Sequence, residues 1–442
     1  MSEVQLNSGG HSGSPASSRA ALLVVFLTVF IDLLGFGIVL PVMPRQAEPF
    51  LDALGLPAAA QGAVIGVLFS SFSLMQFLFS PIWGRLSDRF GRRPMLLLSL
   101  AGSVVFYAVY ALAVTVPTTP PPSRQQALLA LGLMLLSRIG AGIAGASVGT
   151  AAAVIADCTT PENRARGMAL IGIAFGGGFT LGPLIAYFGL AAFRQQPWGV
   201  GAIASTLSLV ALLIAATVFR ETRPLSGAGA RERPGLGRLA TVLSMPSVGV
   251  LVLVYFLAIV AFAGFESTLA RLTRSAFEMN DNDNFLVFAF IGAMLLVAGG
   301  AYRPLAKRLS ERRLLAGGVV LVLAGIAALG GVAWWVHRYP VAGAAAATKA
   351  VFYAAAAVAV AGFAAVNPSV SALISKRTDP ARQGEVLGVN QSFSSLGRII
   401  GPFLGSLLFG LHPSHALPFA VSAALLVGVL ALLPRLADGE SA

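Results

Sequence analysis

The sequence predicts an all-α membrane protein in which twelve transmembrane helices form two pseudo-symmetric halves of six. Three observations predict it. Apolar runs of about 20 residues, the length that crosses a bilayer, recur twelve times between short polar breaks. Only 11% of the 442 residues are charged and mean hydropathy is +0.81, whereas a soluble domain carries about 25% charged residues. Landmarks in the first half also return in the second at one constant offset of 219 residues.

In chain order the spans fall near 21–44, 61–83, 95–116, 127–156, 167–190, 199–219, 246–270, 284–302, 314–336, 350–374, 386–410 and 416–434. Residues 1–19 are polar and rich in Gly and Ser, with no charged start ahead of a cleavable apolar core. They read as a disordered tail, not a signal peptide. An even number of spans puts both termini on one side. With that side cytoplasmic, the breaks facing it hold 21 of the 30 Lys and Arg, the opposite side holds 7, and Arg138 and Arg398 lie inside spans. Such a bias orients a membrane protein, so both termini read as cytoplasmic, in an inner (plasma) membrane. The net charge of +12 is split into these clusters and forms no nucleic-acid stripe.

Residues 220–245 are the longest polar connection, with Arg220, Glu221, Arg223 and Pro224 followed by Gly/Ala/Arg/Pro-rich sequence. They read as a cytoplasmic linker between residues 20–219 and 246–434, with 435–442 as a cytoplasmic tail. The halves repeat: Pro161 precedes Gly182-Pro183 by the same interval that separates Pro380 from Gly401-Pro402. At that offset Gly84 corresponds to Arg303, which opens a degenerate second basic segment ending in Arg312-Arg313. Parallel repeats of this kind pack around a central site and rock about it.

Four constellations carry chemistry. The first is Gly84-Arg-Leu-Ser-Asp88-Arg89-Phe-Gly91-Arg92-Arg93-Pro94, read as a tight basic loop between spans two and three. Glycines there permit turns, and Pro94 suits the start of a helix. The second is Asp32, about eleven residues into the first span, in Asp32-Leu-Leu-Gly35-Phe-Gly37-Ile-Val-Leu-Pro41. An acid at that depth is costly and marks function. Arg138, at similar depth in the antiparallel fourth span, is its expected ion-pair partner, a pairing that would keep the acid ionised until disturbed. The third is Gly178-Phe-Thr-Leu-Gly182-Pro183 in the fifth span, where small residues permit close helix approach. The fourth is Arg398 in the eleventh span with Glu266 late in the seventh. Arg398 either pairs with an acid or attracts an anionic solute. Glu266 is either a second protonation site or an acid at the outer mouth. Gln76, Phe106, Asn390 and Gln391 are further cavity candidates, since an apolar pocket with sparse polar groups suits an amphiphilic solute.

The basic segment resembles the signature G-x-L-x-D-R-x-G-R-R of the major facilitator superfamily. The Asp32 and Gly-Pro motifs resemble those of its twelve-helix drug:proton antiporters, with Ala186-Tyr187 where that family has Gly-Gly. The run Ser71–Pro94 looks close to tetracycline exporters, except that Phe106 stands where they carry an acid. The resemblance implies the major facilitator fold. It also implies a conformational latch at Gly84, Asp88, Arg89, Gly91, Arg92 and Arg93, and proton coupling through Asp32 and Arg138, with Glu266 a further candidate. An antiporter-type fifth helix at Gly178, Gly182 and Pro183 completes it. The expected function is proton-coupled efflux of a small amphiphilic molecule by alternating access. Proton-coupled uptake of a metabolite is one alternative, and a non-transporting membrane scaffold or sensor is another. No phosphate-binding loop, zinc-protease helix or Cys/His cluster occurs, and Cys158 is the single cysteine. The chain therefore reads as no enzyme, with no cofactor beyond a coupling proton and no metal. Its expected partners are a small-molecule substrate and the lipid bilayer, and it reads as a monomer.

Overall fold

The structure, a computed structural model, describes residues 15–116, 121–159, 161–222, 241–341, 345–379 and 382–436. Among these, twelve helices are long and apolar enough to cross a membrane. The first six spans are α1 (Pro15–Val39), α3 (Ala58–Phe90), α4 (Arg92–Thr115), a broken fourth span, α7 (Pro161–Gly189) and α8 (Gly199–Val218). The fourth consists of α5 (Arg124–Ala144), a 3-10 turn over Gly145–Ser147, and α6 (Val148–Cys158). The last six are α9 (Pro246–Phe277), α10 (Asp281–Ala306), α11 (Glu311–Arg338), α12 (Ala346–Lys376), α13 (Gln383–Leu411) and α14 (Leu417–Leu432). A short helix α2 (Met43–Ala53) lies between the first two spans.

Three local expectations change. Helix α1 already includes Pro15, the first described residue, inside the segment read as a tail. The first span ends at Val39 rather than residue 44, and α2 begins with Pro44 in its own first turn. The basic segment is not a loop: α3 stays helical through Phe90, α4 begins at Arg92, and Gly91 alone joins them with φ +98°. That left-handed backbone favours glycine, and Gly84 sits mid-helix with open space beside it. Most of 220–245, together with 1–14 and 437–442, lies outside the described residues.

Within each half the helices pack as a bundle, α1 against α7 and α8, α4 against α5 and α8, α11 against α12, and α9 against α13 and α14. Across the halves, α3 packs along α13 and α7 along α10. Glycines set the α3–α13 seam. A methyl group on Gly62 would collide with the Ser406 carbonyl, one on Gly410 with the Ala58 carbonyl, and one on Gly66 would lie 2.8 Å from the Phe403 Cα. Backbone contact this close maximises dispersion where no hydrophobic driving force separates helix from lipid. Ser70 Oγ adds a hydrogen bond to the Ile399 carbonyl at 2.6 Å.

All of these contacts lie in the half of the molecule nearer α2. That end is called here the α2 face, and the end bearing Gly84–Arg93 the basic face. The molecule is closed at the α2 face. Gly66→Leu should hold that face apart. In a Cys158→Ala background, cysteines replacing Glu48 and Arg274, which pair at 2.8 Å across this face, should join through a short bifunctional reagent, and Gly66→Leu should abolish the product.

Candidate functional site

Asp32 lies in α1 and is 7% exposed. Its carboxylate accepts from Ser103 Oγ at 2.8 Å and from Ser147 Oγ at 3.4 Å, while Tyr107 donates to its backbone carbonyl at 3.4 Å. Ser103 and Tyr107 share a face of α4, one turn apart. Ser147 ends the 3-10 turn that interrupts the fourth span. Hydrogen bonds of a 3-10 turn are poorer than those of an α-helix, and here three side chains reinforce the carbonyls around the break. Trp83 Nε1 donates to Ile143, Ser99 Oγ to Ala144 at 2.9 Å, and Gln76 Nε2 to Gly145 at 2.9 Å. Gln76, a cavity candidate by sequence, thus holds the break open.

Arg138 is not the partner of Asp32. It is 2% exposed, and its guanidinium lies 4.6 Å from the centre of the Phe72 ring and 5.4 Å from that of Phe36. Its Nε has no hydrogen-bond partner. Aromatic faces attract a desolvated cation, so the two rings substitute for the expected carboxylate. Equal depth in adjacent spans did not bring the charges together, because the serines of α4 and the broken span already occupy Asp32. Phe106, the other cavity candidate of this half, packs onto Gly140, where a methyl group would collide with its ring.

The fifth span fits directly against the acid's helix. A methyl on Gly178 would meet the backbone of Leu33 and Leu34 at 3.0 Å, and one on Gly182 would meet the Leu34 carbonyl at 2.9 Å. Helix α7 continues through Pro183. The antiporter-type motif therefore clamps the residues that follow Asp32.

In the last six spans, Arg398 of α13 and Glu266 of α9 interact electrostatically, with Tyr255 beside Arg398. Both are partly buried. Asn390, 4% exposed, and Ser394, fully buried, lie on the same helix, and the Asn390 Oδ1 has no hydrogen-bond partner. Gln391 is exposed. Clefts of about 770 and 610 Å³ open at the α2 face. Their linings include none of Gln76, Phe106, Asn390, Gln391 or Arg398, so the predicted cavity set is not gathered around either.

At the basic face, Asp88 pairs with Arg92 at 2.9 Å, and Arg92 reaches on to Asp157 at 3.2 Å and Ser87 Oγ at 2.6 Å. Arg89 lies over the ring of Phe90. Arg93 donates to the Ala216 carbonyl at 2.8 Å. Glu221, read from sequence only as part of a linker, accepts from the backbone N–H groups of Arg92 and Arg93 at 2.9 and 3.0 Å. An acid on the first N–H groups of a helix is favoured by unpaired donors and by the macrodipole. It ties the end of the sixth span to the signature segment.

Sequence reasoning also missed the α2 face. Arg45 on α2 is 5% exposed, pairs with Asp281 at the start of α10 at 2.8 Å, and donates to the Met279 carbonyl. Glu48, one turn on, pairs with Arg274 at 2.8 Å and lies 4.0 Å from Arg271. Burial pushes the Glu48 carboxyl above its ordinary value, against the pull of Arg274 and Arg271. Asn284 donates to the Pro41 carbonyl across the same boundary. Gln46 accepts from Tyr110 at 2.7 Å and donates to the Pro197 carbonyl at 3.1 Å, fixing α2 to its own half. The signal was present in Arg45, Gln46 and Glu48, but it lay in a segment read as the end of a span and a loop.

Two outcomes follow. Gly91→Ala should cost roughly 1–3 kcal/mol, since a methyl there meets the Glu221 carboxylate as well as a strained φ. The thermal midpoint of the purified protein checks this, and Glu221→Gln should lower it in the same direction. Arg45→Ala leaves Asp281 and the Met279 carbonyl without their cation, and because Asp281 is 47% exposed the loss costs only about 1 kcal/mol. It should raise alkylation of a cysteine placed at Met279 without lowering the protein's yield.

The sequence matches the Major Facilitator Superfamily over residues 25–348 and 339–441. Major facilitator superfamily domain-containing protein 10 of Mus musculus is 29% identical over 467 aligned positions, covering 96% of this chain and 94% of its own. The class D tetracycline resistance protein of Salmonella ordonez is 28% identical, covering 89% and 90%. The crystal structure of the human organic anion transporter MFSD10 (TETRAN) superposes with a TM-score of 0.65 at 27% identity, covering 94% of this chain and 99% of that one. This chain belongs to the Major Facilitator Superfamily and has its twelve-helix transporter fold.

Proposed function

We propose that this transporter exports a small amphiphilic organic anion in exchange for protons, by rocking between the closed α2 face and a closed basic face. The observation that carries the reading is a buried acid without an ion pair in the first half and a partly buried arginine in the second. Asp32, in the first half, is an acid with no cationic partner among the described residues, a group that can take and release a proton. Arg398, in the second, is a cation with Glu266 nearby and the unpartnered Asn390 Oδ1 two turns before it. A hydrogen-bonded charge pair formed only with an anionic solute would satisfy that arginine.

The positive-inside bias supports the basic face as cytoplasmic and the closed α2 face as the outer one. The human relative's description as an organic anion transporter supports the anion. The tetracycline resistance relatives support export, while Phe106 in place of an acid weighs against tetracycline itself.

The test uses inside-out vesicles with an acidic lumen, to which aromatic carboxylates and sulfonates are added beside tetracycline. Carboxylates or sulfonates should release lumenal protons, and Asp32→Asn should abolish the release. Arg398→Ala should raise the half-saturating anion concentration about tenfold or more, the worth of a charge-assisted hydrogen bond of about 1.5–3 kcal/mol. Proton release with cations and not anions would overturn the anion. Anion movement in the direction of the proton, undiminished in Asp32→Asn, would overturn the exchange and leave uptake.

A further inference from the structure

We propose that Ser103 and Ser147 are the positioning residues of Asp32, and that Ser147 links the proton on that carboxyl to the break in the fourth span. The inference rests on the reading of Asp32 as the coupling acid. Oδ1 of the carboxylate receives Ser103 on α4 and Oδ2 receives Ser147 at the end of the 3-10 turn, while Ser99 of α4, within reach of the same carboxyl, donates to the Ala144 carbonyl. Ser103 and Ser147 are buried, at 2% and 0% exposure. Among the described residues, Tyr107 is the titratable side chain that interacts electrostatically with Asp32, and Arg138 interacts with Tyr107 in turn. Tyr107 is committed to the Asp32 carbonyl and Arg138 to the rings of Phe36 and Phe72.

An ionised carboxylate only accepts hydrogen bonds, whereas a protonated one is a donor on one oxygen. A proton on the oxygen that a serine meets makes the carboxyl the donor there, and that serine turns its hydroxyl to another acceptor. The bond from Ser147 is the longer, at 3.4 Å against 2.8 Å, and it is the one that yields. The carbonyls a turn before Ser147, those of Ile143 and Ala144, already accept from Trp83 and Ser99. A reoriented Ser147 hydroxyl must compete with those bonds, and they are what stabilise the break. Short 3-10 stretches inside long helices recur at hinges. The chain thus passes from proton to hydroxyl to helix break without any ion pair.

The experiment is an infrared pH titration of the purified protein reconstituted in lipid, following the protonated-carboxyl band that Asp32→Asn removes. Ser103→Ala and Ser147→Ala should each move the band's midpoint by about one pH unit, the worth of one hydrogen bond to a charged group, and Ser103→Thr should restore it. Hydrogen exchange of the backbone at 145–151 should speed up as the band appears, and should lose that pH dependence in Ser147→Ala and in Asp32→Asn. A midpoint within about 0.2 unit of the parent in both alanine variants, or exchange at 145–151 indifferent to pH in the parent, overturns the proposal. Should an alanine variant be misfolded by its elution profile, Ser147→Thr keeps the hydroxyl and must keep the parent's midpoint and exchange. A band that titrates as described while Asp32→Asn still exchanges protons for solute would sink the coupling role alone.

Discussion

A charge buried at bilayer depth must be met by polar groups from a neighbouring helix, and the first half is built around how Asp32 meets that demand. Its helix can offer little, since the backbone groups there are spent on the helix itself. Two hydroxyls come from outside, and one of them reaches Asp32 only because the fourth span is broken at Gly145–Ser147. The break in turn needs donors from α3 and α4, supplied by Trp83, Gln76 and Ser99. Tight packing of α7 through Gly178 and Gly182 then presses α1 into place. One carboxylate thus determines the irregularity of one helix and the small residues of another.

Arg138 shows the same demand met differently. A guanidinium is weakly hydrated and planar, so two aromatic faces can hold it without an anion. Placing Asp32 and Arg138 in separate settings leaves neither charge cancelled by the other. An ion pair between them would have satisfied both and left nothing for a proton to change. Separation keeps the acid responsive at the cost of a buried cation with an unpartnered Nε.

The spans, their number and the placement of Asp32, Arg398 and Glu266 within them were legible because hydropathy and charge at depth are properties of a chain read in one dimension. The fold class followed from them, and the signature segment and the Gly-Pro motif pointed to the family. What escaped was lateral. Which of several serines turns toward Asp32 depends on helix rotation and on a break no proline announces, since Gly145-Ala-Ser147 reads like the small-residue stretches around it. Glu221 looked like linker because its partners are backbone N–H groups 128 and 129 positions away. The helix α2 was hidden because Val42 and Met43 extend the apolar run past the true end of α1.

The closure of the α2 face joins two interactions of different kinds. The seam of Gly62, Gly66 and Gly410 is apolar and depends on contact distance, so it weakens steeply as the helices part. The charged cluster of Arg45, Glu48, Arg271, Arg274 and Asp281 is directional and fixes which residues face one another. Its net contribution is small, because removing these groups from water offsets most of their attraction. The upward displacement of the Glu48 carboxyl beside two arginines shows burial outweighing them. That balance suits a protein that must leave this state. A fully compensated lock added to the seam would trap one conformation, since a ligand shifts an equilibrium only by its differential affinity for the two states. Packing therefore supplies the attraction here and charge supplies the register, and water entering between the halves restores to the charges much of what opening removes.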